Sequence, residues 1–346
     1  MSNITIEIAG RKVGYDHPPL VVAEIGINHE GSMEKAIQMI DDAAKQRCEC
    51  VKFQCHVIED EMSNEARNAI PGNADVSIWE IMKRCALDEE QDRYLKRYTE
   101  DKGMIYLSTP FSRAAADRLR SFGVPAYKIG SGECNNYPLI EHIASFGKPV
   151  ILATGMNDLT SIGKAVKILI RHNVPYGLLH CTSVYPTPYR LVRLNALAEM
   201  QQAFPGIPVG LSDHSLGIYT CLGAVALGAS ILEKHYTSSR GWPGPDIEIS
   251  MTPHELGEMI KGSKAIFEAR GGHKDILPQE SPTINFAYAS VVTIRPVKAG
   301  ETLTRDNIWV KRPAGGIPAE EFEQVLGKTA TRDIAADGQL KREDFR

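Results

Sequence analysis

The 346-residue chain has no CxxC spacing, and its seven cysteines are odd in number. A disulfide framework is therefore disfavoured, and a reducing compartment is expected. Cys48-Glu49-Cys50 is a conceivable soft-metal pair, but core packing is the commoner use of such residues. No apolar run approaches the ~20 residues that span a bilayer. The first residues lack the basic-then-apolar order of a secretory signal. Basic residues are not in excess: the net charge of −4 lacks the footprint of a nucleic-acid binder. No GxGxxG follows the first apolar run, which counts against an open dinucleotide-binding sheet. No segment is low-complexity. These absences leave a cytoplasmic globular protein as the expectation.

With 43% hydrophobic and 24% charged residues, the chain can bury a sizeable core. Met1 to Tyr15 reads as a hairpin able to close the bottom of a barrel. Leu20–Ile27 is a continuous apolar run, the pattern of a strand buried on both faces. Seven similar runs follow: Cys50–Gln54, Ile105–Thr109, Ala126–Ile129, Pro149–Ala153, Tyr176–Cys181, Val209–Ser212 and Ser230–His235. Helical stretches separate most of them: Ser32–Lys45, with serine as N-cap, Ser112–Phe122, Thr160–His172, Leu194–Phe204 and Gly217–Gly228. A last one, Pro253–Arg270, has proline in its first turn. Eight β/α units in about 250 residues fit a (β/α)₈ TIM barrel.

Three regions depart from this rhythm. His56–Met104 is a long insert whose loop, Glu59–Asp75, is too polar for core, as suits a segment shaping a site. Residues 271–285 mix glycine, proline and polar residues without periodicity and read as a linker. Residues 286–346 carry short β-like runs, and VKAGETLTRDNI and IAADGQLKREDF echo one another faintly. About 60 residues fold alone only marginally, so docking on a partner surface is expected. The domains are then 1–270, 271–285 and 286–346.

The chemistry gathers at strand ends. Residues i and i+2 share a face of a strand, which pairs Lys52 with Gln54, Thr109 with Phe111, Ser212 with His214 and Glu233 with His235. A charged residue in an apolar strand is paired or functional, because burying it alone is costly. His214 and His235 end neighbouring strands, where parallel-sheet enzymes hold ligands. They read either as two hydrogen-bonded histidines or as ligands of a Mn²⁺- or Mg²⁺-like ion that keeps its waters. Lys52 and Lys128, with Thr109, Ser131, Ser212 and the Gly130-Ser131-Gly132 turn, make a phosphate cradle. Alternatively the two lysines pair with Glu24 and Glu133, or Lys128 is a Schiff-base nucleophile. Glu133 and Glu24 are candidate general acids or bases. The Arg312-Pro313-Ala314-Gly315-Gly316 turn is a basic surface loop or an arginine presented to a barrel mouth.

Together these residues resemble the sialic acid synthase family, most like its bacterial N-acetylneuraminate branch. The stretches that carry the resemblance are AEIGINHEGS, VKFQ, IPGNADVSIWEIM, STPFS, YKIGSGECNNYPLI, TGM, LLHCTSVYPTPY, GLSDHS, EKHYT, GPD and VKRPAGG. They span nearly the whole chain in family order. The resemblance implies a (β/α)₈ barrel followed by an antifreeze-like (SAF) domain, in a domain-swapped homodimer. It implies condensation of phosphoenolpyruvate with N-acetylmannosamine to N-acetylneuraminate and phosphate. The nearest rival is a synthase of legionaminic or pseudaminic acid using a 2,4-diacetamido-trideoxyhexose.

Carried over by position, His214 and His235 resemble metal ligands, for Mn²⁺ foremost and Mg²⁺ or Co²⁺ as alternatives. Glu133 and Asp246 would hold waters on that ion. Lys52, Thr109, Lys128, Ser131, Ser183 and Ser212 match positions around phosphoenolpyruvate. Gln54, Asn73, Phe111, Tyr185 and Asp246 match the sugar site, while Phe286 and Arg312 would come from the second subunit. Glu133 is the first choice for proton management, Glu24 the second, with Lys52 and Lys128 stabilising the departing phosphate. Ser183 stands where some relatives carry Asn or Thr, and Ala153 replaces a serine common before Thr-Gly-Met.

Overall fold

Strands buried on both faces, once closed into a ring, have to be plugged at one end and lined at the other. The computed structural model describes residues 3–72 and 74–346 and meets both needs. A hairpin, β1 (Ile6–Ile8) and β2 (Arg11–Val13), precedes eight parallel strands. These are β3 (Leu20–Gly26), β4 (Cys50–Cys55), β5 (Ile105–Pro110), β6 (Tyr127–Ile129), β7 (Val150–Ala153), β8 (Tyr176–Cys181), β9 (Val209–Asp213) and β10 (Ile231–His235). Their order is β5-β4-β3-β10-β9-β8-β7-β6, with β5 beside β6, so the expected (β/α)₈ barrel is the observed fold.

The interior is layered. Leu20, Val22, Cys50, Leu107, Ala126, Ile151, Leu179 and Ile231 pack with Ile6, Ile8 and Val13 of the hairpin, which therefore plugs the amino-terminal end. One pleat further along, the same strand faces present Glu24, Lys52, Thr109, Lys128 and Glu233. On β3, β4, β6 and β10 the interior thus changes from hydrocarbon to charge within two residues, and only the carboxyl-terminal end is chemically equipped.

The helices form where expected, within about two residues. Ser32 accepts from the Lys35 N–H ahead of Met33–Lys45, and Ser112 caps Arg113–Phe122. Leu159–Arg171, Asn195–Ala203 and Tyr219–Ala226 follow. Thr252 and Glu255 form a capping box on Pro253–Ala269. The insert hides a barrel helix, Glu89–Asp101, whose buried stripe is only Asp92, Leu95 and Thr99. Polar composition masks its period. Residues 271–285, expected as a linker, carry a 3₁₀ turn at Pro278–Glu280 and the start of a helix, Ser281–Ala287. Proline in the first turn of that helix is compatible with it. Among the described residues, no helix is long and apolar enough to cross a membrane.

The chain divides into two compact units, Met1–Gly271 and Gly272–Arg346. In the second, β11 (Ser290–Thr293) pairs antiparallel with β12 (Ile308–Lys311). The faint echo proves to be structural: Val297 and Ile334 exchange both backbone hydrogen bonds. Leu303 and Leu340 are both fully buried. Asn307 accepts from the Thr304 N–H and Asp344 from the Lys341 N–H. The equivalent polar residue in the first copy is thus Asn307, not Asp306.

Asp92 offers a test of the barrel wall. Its carboxylate meets Arg118 at 3.1 Å and is 1% exposed. Burial pushes its pKa up to about 6 against the pull of Arg118. An acid raised on folding adds stability that is fully present below the unfolded pKa and is lost as pH rises through the folded one. Relative to Asp92→Asn, the wild type should therefore lose on the order of 3 kcal/mol between pH 4 and pH 6. Urea melts of both proteins across that range check it, and parallel curves would exclude Asp92 as the titrating group.

Candidate active site

At the carboxyl end of the barrel is a cavity of about 300 Å³. Glu24, Lys52, Gln54, Thr109, Phe111, Lys128, Ser131, Ser183, Tyr185, Ser212, His214 and His235, all singled out from sequence, line it. Each comes from a barrel strand or the segment that follows it.

Its floor is a quartet of charges. Lys52 Nζ lies 2.7 Å from Glu24 and 3.9 Å from Glu233, and also donates to Thr109 Oγ1 at 3.0 Å. Lys128 Nζ lies 3.4 Å from Glu233, which accepts from Ser212 Oγ at 3.2 Å. Of the alternative pairings, Lys52 with Glu24 is present, but Lys128 pairs with Glu233 and not with Glu133. Strand alternation puts Glu233 on the same face as His235, inside the ring, and closure of the barrel brings it to Lys128. Burial pushes Glu24 up to about 7, against the pull of Lys52. Burial also opposes charge on Glu233, but Lys128 and Lys52 outweigh it and hold this carboxyl below its usual range. Lys128 is pushed down by burial, while Glu233 and Glu24 hold Lys52 above the usual amine range despite its burial. Two carboxylates in contact with two ammonium groups therefore differ in proton affinity.

Backbone conformation makes room for this floor. Gly26 has φ +55° at an irregularity in the β3–β4 ladder, and a Cβ there would approach Glu24 Oε1 to 3.2 Å. Gly155 is tighter still: its Cβ would meet Ser183 Oγ at 2.5 Å and Ser131 Oγ at 2.8 Å. The Gly155 N–H also donates to Ser131 Oγ at 3.0 Å. Gly155→Ala should fold but push both hydroxyls aside, raising the KM for a phosphate-bearing substrate about tenfold. Steady-state kinetics check this, and an unchanged KM would remove Ser131 and Ser183 from the cradle.

Above the floor, the rings of His214 and His235 have centroids 5.5 Å apart. His214 Nδ1 lies 2.9 Å from the Thr182 carbonyl, so it donates there and leaves Nε2 as the acceptor. His235 Nδ1 is buried without a hydrogen-bond partner and lies 3.8 Å from Asp246. Burial drives His235 well below the usual histidine range, so one of its ring nitrogens offers a lone pair at neutral pH. Among the described residues, no cluster of three or more His, Cys, Asp or Glu side chains is arranged around one point. Two imidazoles, one with an orphaned nitrogen, fit an ion whose other positions are filled by water or substrate. Closed structural zinc is a poor match.

Other site expectations fall elsewhere. Glu133 follows the cavity-lining Ser131 and Gly132 but is not on the wall; it is half-buried and accepts from Asn136 Nδ2 at 2.6 Å. Burial raises its pKa. Asp246 borders the histidine pair, and burial lifts it to about 6. Asn73 lies outside the described residues. Phe286 and Arg312 belong to the second unit, where both are exposed. Glu233, Cys181 and Met156 line the cavity without having been assigned to it. For Glu233 the signal was present in its register with His235.

A metal-compatible histidine pair above a lysine–carboxylate floor is shared chemistry, and comparison with known proteins supplies its family. Residues 39–275 match the NeuB family and residues 288–346 the SAF domain. An uncharacterized protein of Methanocaldococcus jannaschii is 38% identical, over 98% of both chains. The N,N'-diacetyllegionaminic acid synthase of Campylobacter jejuni is 36% identical, over 93% of this chain and 98% of that one. The crystal structure of an N-acetylneuraminic acid (sialic acid) synthetase from Leptospira borgpetersenii, in complex with citrate, superposes with a TM-score of 0.75 at 32% identity. That match covers 82% of this chain and 95% of the other. The chain thus belongs to the NeuB family, the sialic acid synthases, enzymes that condense phosphoenolpyruvate with a sugar, and it carries a SAF domain at its carboxyl end.

Proposed function

We propose that the enzyme is an N-acetylneuraminate synthase, joining phosphoenolpyruvate to N-acetylmannosamine with water and releasing phosphate. The observation that carries this reading is one cavity holding two buried lysines, four serine and threonine hydroxyls and two imidazoles at a barrel mouth. Lys52, Lys128, Thr109, Ser131, Ser183 and Ser212 receive the phosphate and carboxylate. Gln54, Phe111, Tyr185 and Asp246 face the sugar; Asn73, outside the described residues, is assigned to it by resemblance alone. C3 of phosphoenolpyruvate attacks the aldehyde carbon of the open-chain sugar, and the aldehyde oxygen takes up a proton. C2 becomes electron-poor, water adds there and loses a proton, and the C2–O bond breaks to release phosphate. Lys52 and Lys128 stabilise the leaving charge. His214 and His235 would hold a divalent ion, Mn²⁺ by preference, which supplies Lewis-acid polarisation of the aldehyde.

Glu133 and Glu24 manage the protons. Glu133→Gln should slow kcat about 100-fold while leaving phosphoenolpyruvate affinity within about twofold. Near-normal turnover would remove Glu133 from the reaction. Phe286 and Arg312 are supplied by a second copy in a swapped homodimer, in keeping with their exposure on the small unit. The enzyme works in the cytoplasm. The test of the reading is phosphate release from phosphoenolpyruvate with a panel of amino sugars. A faster initial rate with 2,4-diacetamido-trideoxyhexoses than with N-acetylmannosamine would instead assign legionaminic or pseudaminic acid synthesis, a reading favoured by the 36% identity to a diacetyllegionaminic acid synthase.

A further inference from the structure

One buried hydrogen-bonded chain leads away from the cavity floor toward the insert. Lys52 is paired with Glu24 at 2.7 Å, and Gln54 Nε2 donates to Glu24 Oε1 at 3.3 Å. Gln54 Oε1 lies 3.1 Å from His56 Nε2, and His56 Nδ1 lies 2.8 Å from Glu61 Oε2. Glu61 closes the short helix Ile58–Glu61 of the insert. That segment is itself anchored where Asp60 accepts from the Ala114 N–H at 2.7 Å. His56 is 3% exposed and stacks on Phe111, ring centroids 4.7 Å apart.

The donors and acceptors along this chain admit few arrangements. A carboxylate only accepts, so the Nδ1 facing Glu61 carries a proton. A carbonyl oxygen also only accepts, so the Nε2 facing Gln54 Oε1 carries one too. His56 is then a cation held by Glu61, and the Gln54 amide offers its NH₂ to Glu24. A neutral ring would present a bare Nε2. The amide would have to turn over, setting its oxygen against a Glu24 oxygen; an ionised Glu24 repels it, and only the protonated acid, which burial favours on Glu24, could accept that arrangement. The shape of a glutamine end is nearly symmetric, so only these partners choose between its two orientations.

We propose that His56, clamped by Glu61 from the insert, is a positioning residue that fixes which end of the Gln54 amide faces Glu24 and the sugar. The inference rests on the proposed function for the identity of the sugar, but not for the state of the ring. Other charged groups near His56 are compatible with its charge. Burial first, and the charge of His56 second, push the neighbouring His29 down to about 4, so His29 stays neutral. Asp92 adds an attractive field from the barrel helix. The chain gives the polar insert a chemical task, since it orients a sugar-facing amide through one buried imidazole.

The test uses the full-length enzyme. Ring ¹⁵N shifts of His56, assigned by their loss in His56→Gln, should show both nitrogens protonated at neutral pH and a single proton in Glu61→Gln. In phosphate-release assays Glu61→Gln and His56→Phe should raise the KM for N-acetylmannosamine about tenfold, with the KM for phosphoenolpyruvate within about twofold. His56→Gln keeps an N–H donor near the Nε2 position and should stay within about threefold of wild type. A singly protonated ring in the wild type overturns the proposal, as does a wild-type sugar KM in His56→Phe. If no amino sugar supports phosphate release, the functional reading fails, while the ring spectra still decide the state of His56.

Discussion

Lys128→Met should abolish phosphate release, lowering kcat/KM for phosphoenolpyruvate by about 10³-fold or more, and should destabilise the barrel by about 3–5 kcal/mol. Both effects have one origin. Lys128 Nζ is the nearest cation to Glu233, at 3.4 Å, while Lys52 is 3.9 Å away and already engaged with Glu24. Methionine matches the stem of lysine in length but leaves Glu233 buried with half its compensation. The double variant Lys128→Met/Glu233→Gln separates the two effects: removing the orphaned charge should restore most of the stability and none of the activity. Recovery of turnover in the double variant would mean that Lys128 only neutralises Glu233 and never meets phosphate. The same experiment addresses the Schiff-base alternative, because burial lowers the pKa of Lys128 and so favours a nucleophilic amine. Borohydride with pyruvate should leave the wild type unmodified if Lys128 binds phosphate as a cation.

This quartet marks the boundary of what sequence can disclose. Lys52 and Lys128 were readable because a charge inside an apolar run needs a reason, and the barrel because each run is long enough for one strand and buried on both faces. The partner of Lys128 was not readable. Glu133 is five residues away and plausible, yet Glu233 is the partner, and only closure of eight strands into a ring brings the two together. Strand alternation carried half of the answer, since in ILEKH it sends Glu233 and His235 inward. Lys234 points outward, where it meets Asp213 at 2.7 Å in a buried pair. What alternation cannot give is which inward residue lies across the ring.

The insert failed for a different reason. The helix Glu89–Asp101 buries one leucine, an aspartate and a threonine, so hydrophobic period had nothing to report. The role of His56 depends on whether a ring nitrogen donates or accepts, which composition never expresses. In the second unit, the echo between Val297–Ile308 and Ile334–Phe345 was visible as spelling, but its equivalences became clear only through the matching backbone hydrogen bonds.

The histidine pair supports the other large effect. Chelation should reduce phosphate release by about 100-fold or more, and Mn²⁺ should restore it in the wild type but not in His214→Ala or His235→Ala. Binding has a readout that does not depend on turnover. An ion at a hundred times its Kd stabilises the folded state by about 2.7 kcal/mol, so Mn²⁺ should raise the Tm of the wild type by several degrees and leave His235→Ala unmoved. The pH dependence follows from the unequal environments of the two rings. Burial drives His235 well below the ordinary histidine range, so no proton competes there near neutrality. For His214 burial pulls the same way, but Cys181 and the Thr182 carbonyl outweigh it and lift the ring above the ordinary value. A proton on His214 is therefore the competitor. Mn²⁺ affinity should fall about tenfold per pH unit once pH drops below the His214 pKa, and level off above it. Titrations following the Tm shift with pH would show one proton released per ion bound below that pKa and none above it. A flat profile would mean that His214 is not a ligand, and the ion would then have to be held by His235 and Asp246 alone.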